Sequence, residues 1–431
     1  MLLRSVSWRL PIFAFAVCWF VSQPICGQAG TSLISDGDAV IVEAEPRFSR
    51  VSLSQDGLSI GTQDHAYEVR VNGYLQGDGR LFDTNLNDRA HDVLLFRRIR
   101  PLVEGTLARR VDFRFMPDFG EGNAILQEAY VEWNSFSFAK PRIGKFKTPI
   151  GLEVLRSDRN LTFSERSLVS DLVPLRDLGA QVESSFLQDA IVFEVGYFSG
   201  ARNGTNANFE WRGTYDGVAR VFVRPFAATN SAAQNLGIGI AASFGHNHGA
   251  IPELKTVGQQ TFFRYASSVI SDGQQRRVSP QAYYFCGRFG VLGEYIASGE
   301  DAAVGAEHRY LSDRGWELAG SIALTGERNS YAGIRSERAF EPAKGLQHIG
   351  AWEIAFRQSR IDLDANTFPH YANPRISANG AVETSVGLSW YLNRHTKMMT
   401  DYEFTKFRMA EDKIPRLFPE RVAMTRVQLT F

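Results

Sequence analysis

Arg97 and Arg98 stand side by side, with Arg100 two residues further on, and other arginines recur at Arg70, Arg114, Arg220 and Arg224. A guanidinium keeps its charge at any relevant pH, and its planar fork matches two oxygens of an oxyanion. Such a set could draw in and hold anions. The bias is general, because only 8 of the 47 basic residues are lysine. A GC-rich genome would produce the same bias, so composition alone does not assign these arginines a role. Two other chemistries lack their motifs. There is no phosphate-cradling loop with Gly-Lys-Ser/Thr and no His-Glu-x-x-His. His246 and His248 have no further ligands at metal-binding spacing. The sequence therefore predicts no catalytic residue, no metal and no cofactor. The 47 acids balance the 47 bases, so bulk charge gives no reason to expect nucleic acid.

The elements that must carry these arginines alternate with period two. Tyr67, Val69, Val71, Gly73 and Leu75 interleave with Glu68, Arg70, Asn72, Tyr74 and Gln76. Val111, Phe113 and Phe115 interleave with Asp112, Arg114 and Met116. Tyr215, Gly217, Ala219, Val221 and Val223 interleave with Asp216, Val218, Arg220, Phe222 and Arg224. One face is apolar and the other carries charge. Adjacent side chains in a strand point to opposite faces, so at most one of Arg97 and Arg98 faces inward unless a bulge intervenes. Parity with Arg100 favours Arg98. Arg70, Arg114, Arg220 and Arg224 fall on inward faces as a basic track, or else pair with Glu68, Asp112, Glu128 and Asp216 on the same faces.

The chain ends narrow the architecture. Arg4 and Arg9 precede an apolar run, Leu10–Val21, and a small-residue exit at Gly27 and Ala29, the pattern of a cleaved signal peptide over residues 1–29. Its removal leaves 45 bases against 47 acids and a single thiol, Cys286, so no disulfide framework is expected. No later run of 18 apolar residues offers a membrane helix. The last residues alternate, with Phe431, Leu429, Val427, Thr425 and Ala423 on one face and Thr430, Gln428, Arg426 and Met424 on the other. That suits a strand with lipid outside and water inside. The terminal Phe resembles the recognition signal of bacterial outer-membrane barrels.

Sixteen strands are expected, near 66–80, 93–107, 110–119, 124–134, 139–148, 178–186, 190–199, 215–225, 236–245, 279–286, 290–298, 315–323, 350–364, 382–392, 397–407 and 421–431. An even count is usual for a closed antiparallel barrel, and connections that alternate short and long match periplasmic turns and external loops. Long loops fall at 149–177, 200–214, 246–278, 299–314, 365–381 and 408–420. Residues 324–349 strain the pattern as a long periplasmic connection, and 120–123 as a short external one. Gln259–Ala266 is a further candidate strand. The expectation is an all-β transmembrane barrel over 66–431, preceded by a polar periplasmic extension over 30–65.

Several strings resemble one family, the phosphate-selective porins O and P of Gram-negative outer membranes. Val71-Asn72-Gly73-Tyr74-Leu75-Gln76-Gly77-Asp78 looks like its first strand, and Phe96-Arg97-Arg98-Ile99-Arg100 resembles its Arg-Arg strand. Gln127-Glu128-Ala129-Tyr130-Val131 is similar to its fourth strand. Gly144–Glu153, followed by Ser164-Glu165-Arg166-Ser167, resembles the approach to an inward-folded loop. Leu324–Glu327, Gly350–Glu353 and Ser389–Asn393 look like its C-terminal signatures.

The resemblance implies a sixteen-stranded, trimeric barrel in outer-membrane lipid that passes small, phosphate-like anions. It implies that Arg97 and Arg98, with Arg166 and Ser157 of the loop, form the anion-binding constriction. Arg166 could equally pin the loop to the wall. One departure matters: the position where the family pattern has a constriction Lys is Val154, and the nearest base is Arg156. A general porin and a plugged barrel acting through its surface loops stay open as alternatives.

Overall fold

The computed structural model describes residues 48–431 apart from 55–56, 84–89, 137, 201–212, 346–347 and 411–416, so the expected leader lies outside the described residues. Its strands are β1 (Phe48–Ser54), β2 (Gly57–Thr62), β3 (Glu68–Phe82), β4 (Val93–Leu107), β5 (Val111–Asp118), β6 (Ile125–Trp133), β7 (Lys140–Phe146), β8 (Asp177–Phe186), β9 (Ile191–Phe198) and β10 (Tyr215–Val223). They continue with β11 (Leu236–Ala250), β12 (Leu254–Lys255), β13 (Thr261–Phe263), β14 (Ile270–Cys286), β15 (Phe289–Val304), β16 (Glu307–Ala323), β17 (Ala351–Asp362), β18 (Gly380–Tyr391), β19 (Thr396–Arg408) and β20 (Glu420–Thr430). Sixteen of them, β3–β11 and β14–β20, pair antiparallel in chain order, and β20 pairs β3 to close the barrel.

Alternation is what makes a barrel of this sequence. Outward positions such as Leu81, Leu94, Phe96, Val195, Leu318 and Phe356 are exposed apolar side chains, while Gln76, Arg98, Gln181, Glu317 and Glu383 are buried inside. A soluble sandwich would need the reverse. The sixteen expected strands recur in order, and the differences gather at the end bearing the long loops. The expected loop at 299–314 is wall instead: β15 and β16 run on to a tight turn at Gly305-Ala306. Likewise β11 and β14 extend to Ala250 and Ile270, which shortens the loop between them to 251–269. Within that loop, β12 and β13 form a small hairpin at the Gln259–Ala266 candidate.

The stretch expected as a polar extension contains, in its described part, the β1–β2 hairpin. β2 pairs with β3 at Leu58–Gly61, on the edge that β20 leaves free below Tyr74. Phe431 completes the seam, exchanging backbone hydrogen bonds of 2.9 and 3.1 Å with Gly73. A Gly-x-Ser-x-Gly string, Gly57–Gly61, lies within β2, not on the strand-to-helix turn that a nucleophile elbow needs. Ser59 donates to Glu68 at 2.6 Å, so a carboxylate and not an imidazole sits beside the hydroxyl.

Candidate functional site

The loop between β7 and β8, residues 147–176, folds into the lumen. One side is apolar. Ile150, Val154, Leu168, Val169 and Leu172 pack with Val257, Phe262 and Phe263 of the 251–269 loop and with Ile296 and Ile361 of the wall. The loop has little regular structure, so its backbone groups need other partners. Inward side chains of the wall supply them. Glu294 accepts from the amides of Leu152 and Glu153 at 2.7 and 2.9 Å, and Asp401 accepts from Ser164 at 2.7 Å. Lys397 donates to the Leu161 carbonyl at 2.8 Å, Arg357 to that of Glu165 at 2.9 Å, and Gln76 to that of Asp158 at 3.1 Å.

The loop's other side carries two carboxylates. Glu165 lies within ion-pair distance of Arg97 (2.7 Å), Arg426 (2.9 Å), Arg98 (3.1 Å) and Arg80 (3.6 Å). Asp158 contacts Arg166 (2.7 Å), Arg176 (3.6 Å), Arg98 (3.8 Å) and Arg100. The arginines also reach Asp78, Asp118, Glu121 and Glu128. Among the described residues seven guanidiniums therefore contact six carboxylates around the constriction, and at Glu128 the network runs on through Arg114 to Glu104.

The bulge that would let both Arg97 and Arg98 face inward is present. The β3–β4 register slips between Gln76 and Gly77, with Gln76 opposite Arg98 and Gly77 opposite Phe96. Arg97 is the extra residue of this bulge, which turns its side chain inward beside Arg98. Phe96 keeps its outward place. Arg166 holds the loop to itself, through Asp158 and the carbonyls of Glu153 and Arg156 at 3.3 and 3.1 Å. Ser157 caps the short turn at 158–160 and accepts from the Arg159 amide at 3.4 Å. Arg156 donates to the carbonyls of Asn160 and Tyr331 and to the Thr162 hydroxyl.

The expected basic track is mostly paired. Arg70 contacts Glu68 at 3.0 Å, Arg114 contacts Glu104 and Glu128, and Arg220 contacts Glu194 and not Asp216. Arg224 lies past the end of β10 and donates to the Asp189 carbonyl. Arg80, Arg176 and Arg357, and the hub role of Asp158 and Glu165, are not among the expectations from sequence. Inward parity on β3 marks Arg80, as it already marks Arg426 on β20. The carboxylates give no sequence signal beyond their place in an arginine-rich loop.

Val154 is fully buried in the apolar cluster and does not face the pore. Val154→Lys is therefore expected to bury an unpaired ammonium and loosen the loop, at a cost of about 3–5 kcal/mol, without adding a pore cation. A drop in the temperature at which the folded barrel converts to the slower-migrating form on gels would report it.

Burial pushes the Asp158 carboxyl up, but Arg166, Arg100, Arg98 and Arg176 outweigh it and hold it well below the usual carboxylate range. Burial acts on Glu165 in the same sense and is overcome by Arg97, Arg98 and Arg426. A carboxylate with a depressed folded pKa contributes stability that is complete above its unfolded value of about 4 and is lost as pH falls through the folded value. The clamp on Asp158 and Glu165 is thus expected to keep the loop docked from about pH 9 to about pH 5, with loop release only in stronger acid. Bilayer recordings over that range check this.

A segment of the connection between β16 and β17 meets the loop from below. Tyr331 donates to the Leu152 carbonyl at 2.6 Å, and Arg156 donates to the Tyr331 carbonyl at 3.1 Å. Two chambers flank the loop. The outer one, of about 500 Å³, includes Arg97, Arg98 and Arg166 in its wall. The inner one, of about 340 Å³, includes Ser157 and Arg159.

The family described as Phosphate-selective porin O and P matches residues 69–431. Porin O of Pseudomonas aeruginosa is 24% identical over 406 residues, which cover 87% of this chain and 88% of that protein. Among solved structures, the outer membrane channel DcaP of Acinetobacter baumannii superposes with a TM-score of 0.55 at 10% identity, covering 85% of this chain and 98% of its own. In-vitro folded OmpT of Vibrio cholerae gives 0.52 at 11% identity over the same shares.

Proposed function

The chain belongs to the phosphate-selective porin O and P family and is an outer-membrane porin, and from that premise we propose that its pore passes small anions, phosphate or polyphosphate among them, through the arginine-lined constriction. The observation that carries the reading is the surplus of guanidiniums over carboxylates around Asp158 and Glu165. An anion pore must replace part of the ion's hydration with donors yet let the ion go. Arginines held part-way by shared carboxylates meet both demands: they keep a positive field and cannot close a tight site around the ion. A homotrimer in outer-membrane lipid is part of the proposal.

The test is reversal potential in a planar bilayer across a KCl gradient, repeated with added phosphate. Anion preference is the expected result. Block by phosphate at low concentration would add a phosphate-type site despite Val154. Ohmic current without preference would leave a general porin. A second reading, a plugged barrel, is favoured by the Tyr331–Leu152 contact under the loop. Near-zero conductance from correctly folded protein would establish it.

A further inference from the structure

We propose that the inner chamber binds small aromatic carboxylates. This rests on the anion-pore reading and names a ligand class for the half of the pore below the constriction loop.

Five cations border that chamber, Arg114, Arg142, Lys147, Arg159 and Arg176, against three carboxylates, Glu128, Asp158 and Glu194. Four of the five are engaged. Arg114 and Arg176 contact Glu128 at 3.3 and 3.0 Å, and Arg142 contacts Glu132 at 2.5 Å. Lys147 donates to the carbonyls of Val154 and Arg156 at 2.8 and 2.5 Å. The Arg159 guanidinium has no carboxylate or other hydrogen-bond acceptor among the described residues. Its backbone is nevertheless fixed, because the amide donates to Ser157 Oγ and the carbonyl accepts from Gln428 at 3.2 Å. A cation on a fixed stem with an open fork is preorganised for a carboxylate.

The apolar part of the lining argues against a bare, strongly hydrated ion. Leu102, Met116, Phe146 and Leu155 form it, and an inorganic oxyanion against them would give up water and gain no donors. An aromatic ring fits that surface. Rings and guanidiniums already alternate along it: Arg159 lies 5.8 Å from the centre of the Tyr74 ring, and Arg142 lies 4.7 Å from that of Tyr130. The chamber volume of about 340 Å³ falls in the range of small-molecule sites, roughly 300–1,000 Å³. The ring would lie on the apolar wall, with its carboxylate on the Arg159 fork and the Ser157 hydroxyl.

The experiment measures current through the full-length barrel in KCl with sodium benzoate or inorganic phosphate added on the periplasmic side. It compares wild type with Arg159→Gln and Arg159→Lys. Benzoate is expected to reduce the current at concentrations about tenfold below phosphate, and Arg159→Gln to raise the half-blocking benzoate concentration about tenfold. Arg159→Lys, which keeps the charge and loses the fork, falls between. The variants should keep the heat-modifiable migration of the folded wild-type barrel, because the Arg159 side chain makes no hydrogen bond or ion pair among the described residues, and block is read against each variant's own unblocked current. Block by phosphate at equal or lower concentration, or unchanged benzoate block in Arg159→Gln, overturns the inference and leaves the anion-pore reading standing. A cation-preferring wild-type channel overturns both.

Discussion

Replacing Glu165 with Gln is expected to release the constriction loop, raising and destabilising the single-channel conductance. Glu165 is buried, and Arg80, Arg97, Arg98 and Arg426 converge on it. The amide keeps the shape and removes the charge that offsets four guanidiniums. Breaking one partner of a buried ion pair costs about 3–5 kcal/mol, because the remaining charges stay desolvated without compensation. Asp158 is the other carboxylate that ties this side of the thirty-residue loop to the wall, through Arg98 and Arg100. Noisy, larger openings and faster proteolysis within 147–176 are the expected readouts, with the barrel itself still resistant to detergent. The double variant Glu165→Gln/Arg98→Gln restores the charge balance and should lie closer to wild type than the sum of the single variants. Equal, quiet conductance in wild type and Glu165→Gln would mean that the apolar side of the loop alone holds it in place.

This asymmetry between the loop's two sides explains how much could be read from the residues. The sixteen strands were legible because lipid demands an apolar side chain at every second position, a signal that Val69, Val71 and Leu81 carry openly. The loop-bearing ends of β14–β16 were not, since charged stretches such as Glu307–Arg309 rise clear of the membrane and lose the alternation while keeping their backbone pairing. The inward turn of Arg97 stayed open for a related reason: the bulge that produces it depends on the register of β3 against β4, which no local pattern records. Val154 was recognised as a departure, but not as a core residue, because a loop has no period from which to infer a face. The Tyr331 contact with Leu152 joins two connections 179 residues apart, from opposite ends of the barrel. Only the unexpected length of 324–349 hinted at it.

The second large effect concerns ion preference, and the charge count sets its direction. Around the constriction seven guanidiniums face six carboxylates among the described residues, and the Arg114–Glu104 pair that continues the network adds one charge of each sign. Arg98→Gln with Arg166→Gln turns that single positive excess into a single negative one. The fold should survive, since Glu165 keeps Arg80, Arg97 and Arg426, and Asp158 keeps Arg100 and Arg176. In a water-filled pore one charge at about 4 Å is worth roughly 1 kcal/mol to a passing ion. Two such losses lower the anion-to-cation permeability ratio by at least about tenfold. The reversal potential in a KCl gradient is therefore expected to move to zero or to change sign. Arg98→Lys with Arg166→Lys keeps both charges and loses both forks, so it should retain the wild-type sign while weakening any block by phosphate. If the glutamine pair leaves the reversal potential unchanged, the network arginines serve only to seat the loop, and preference must come from cations outside it, Arg159 first among them.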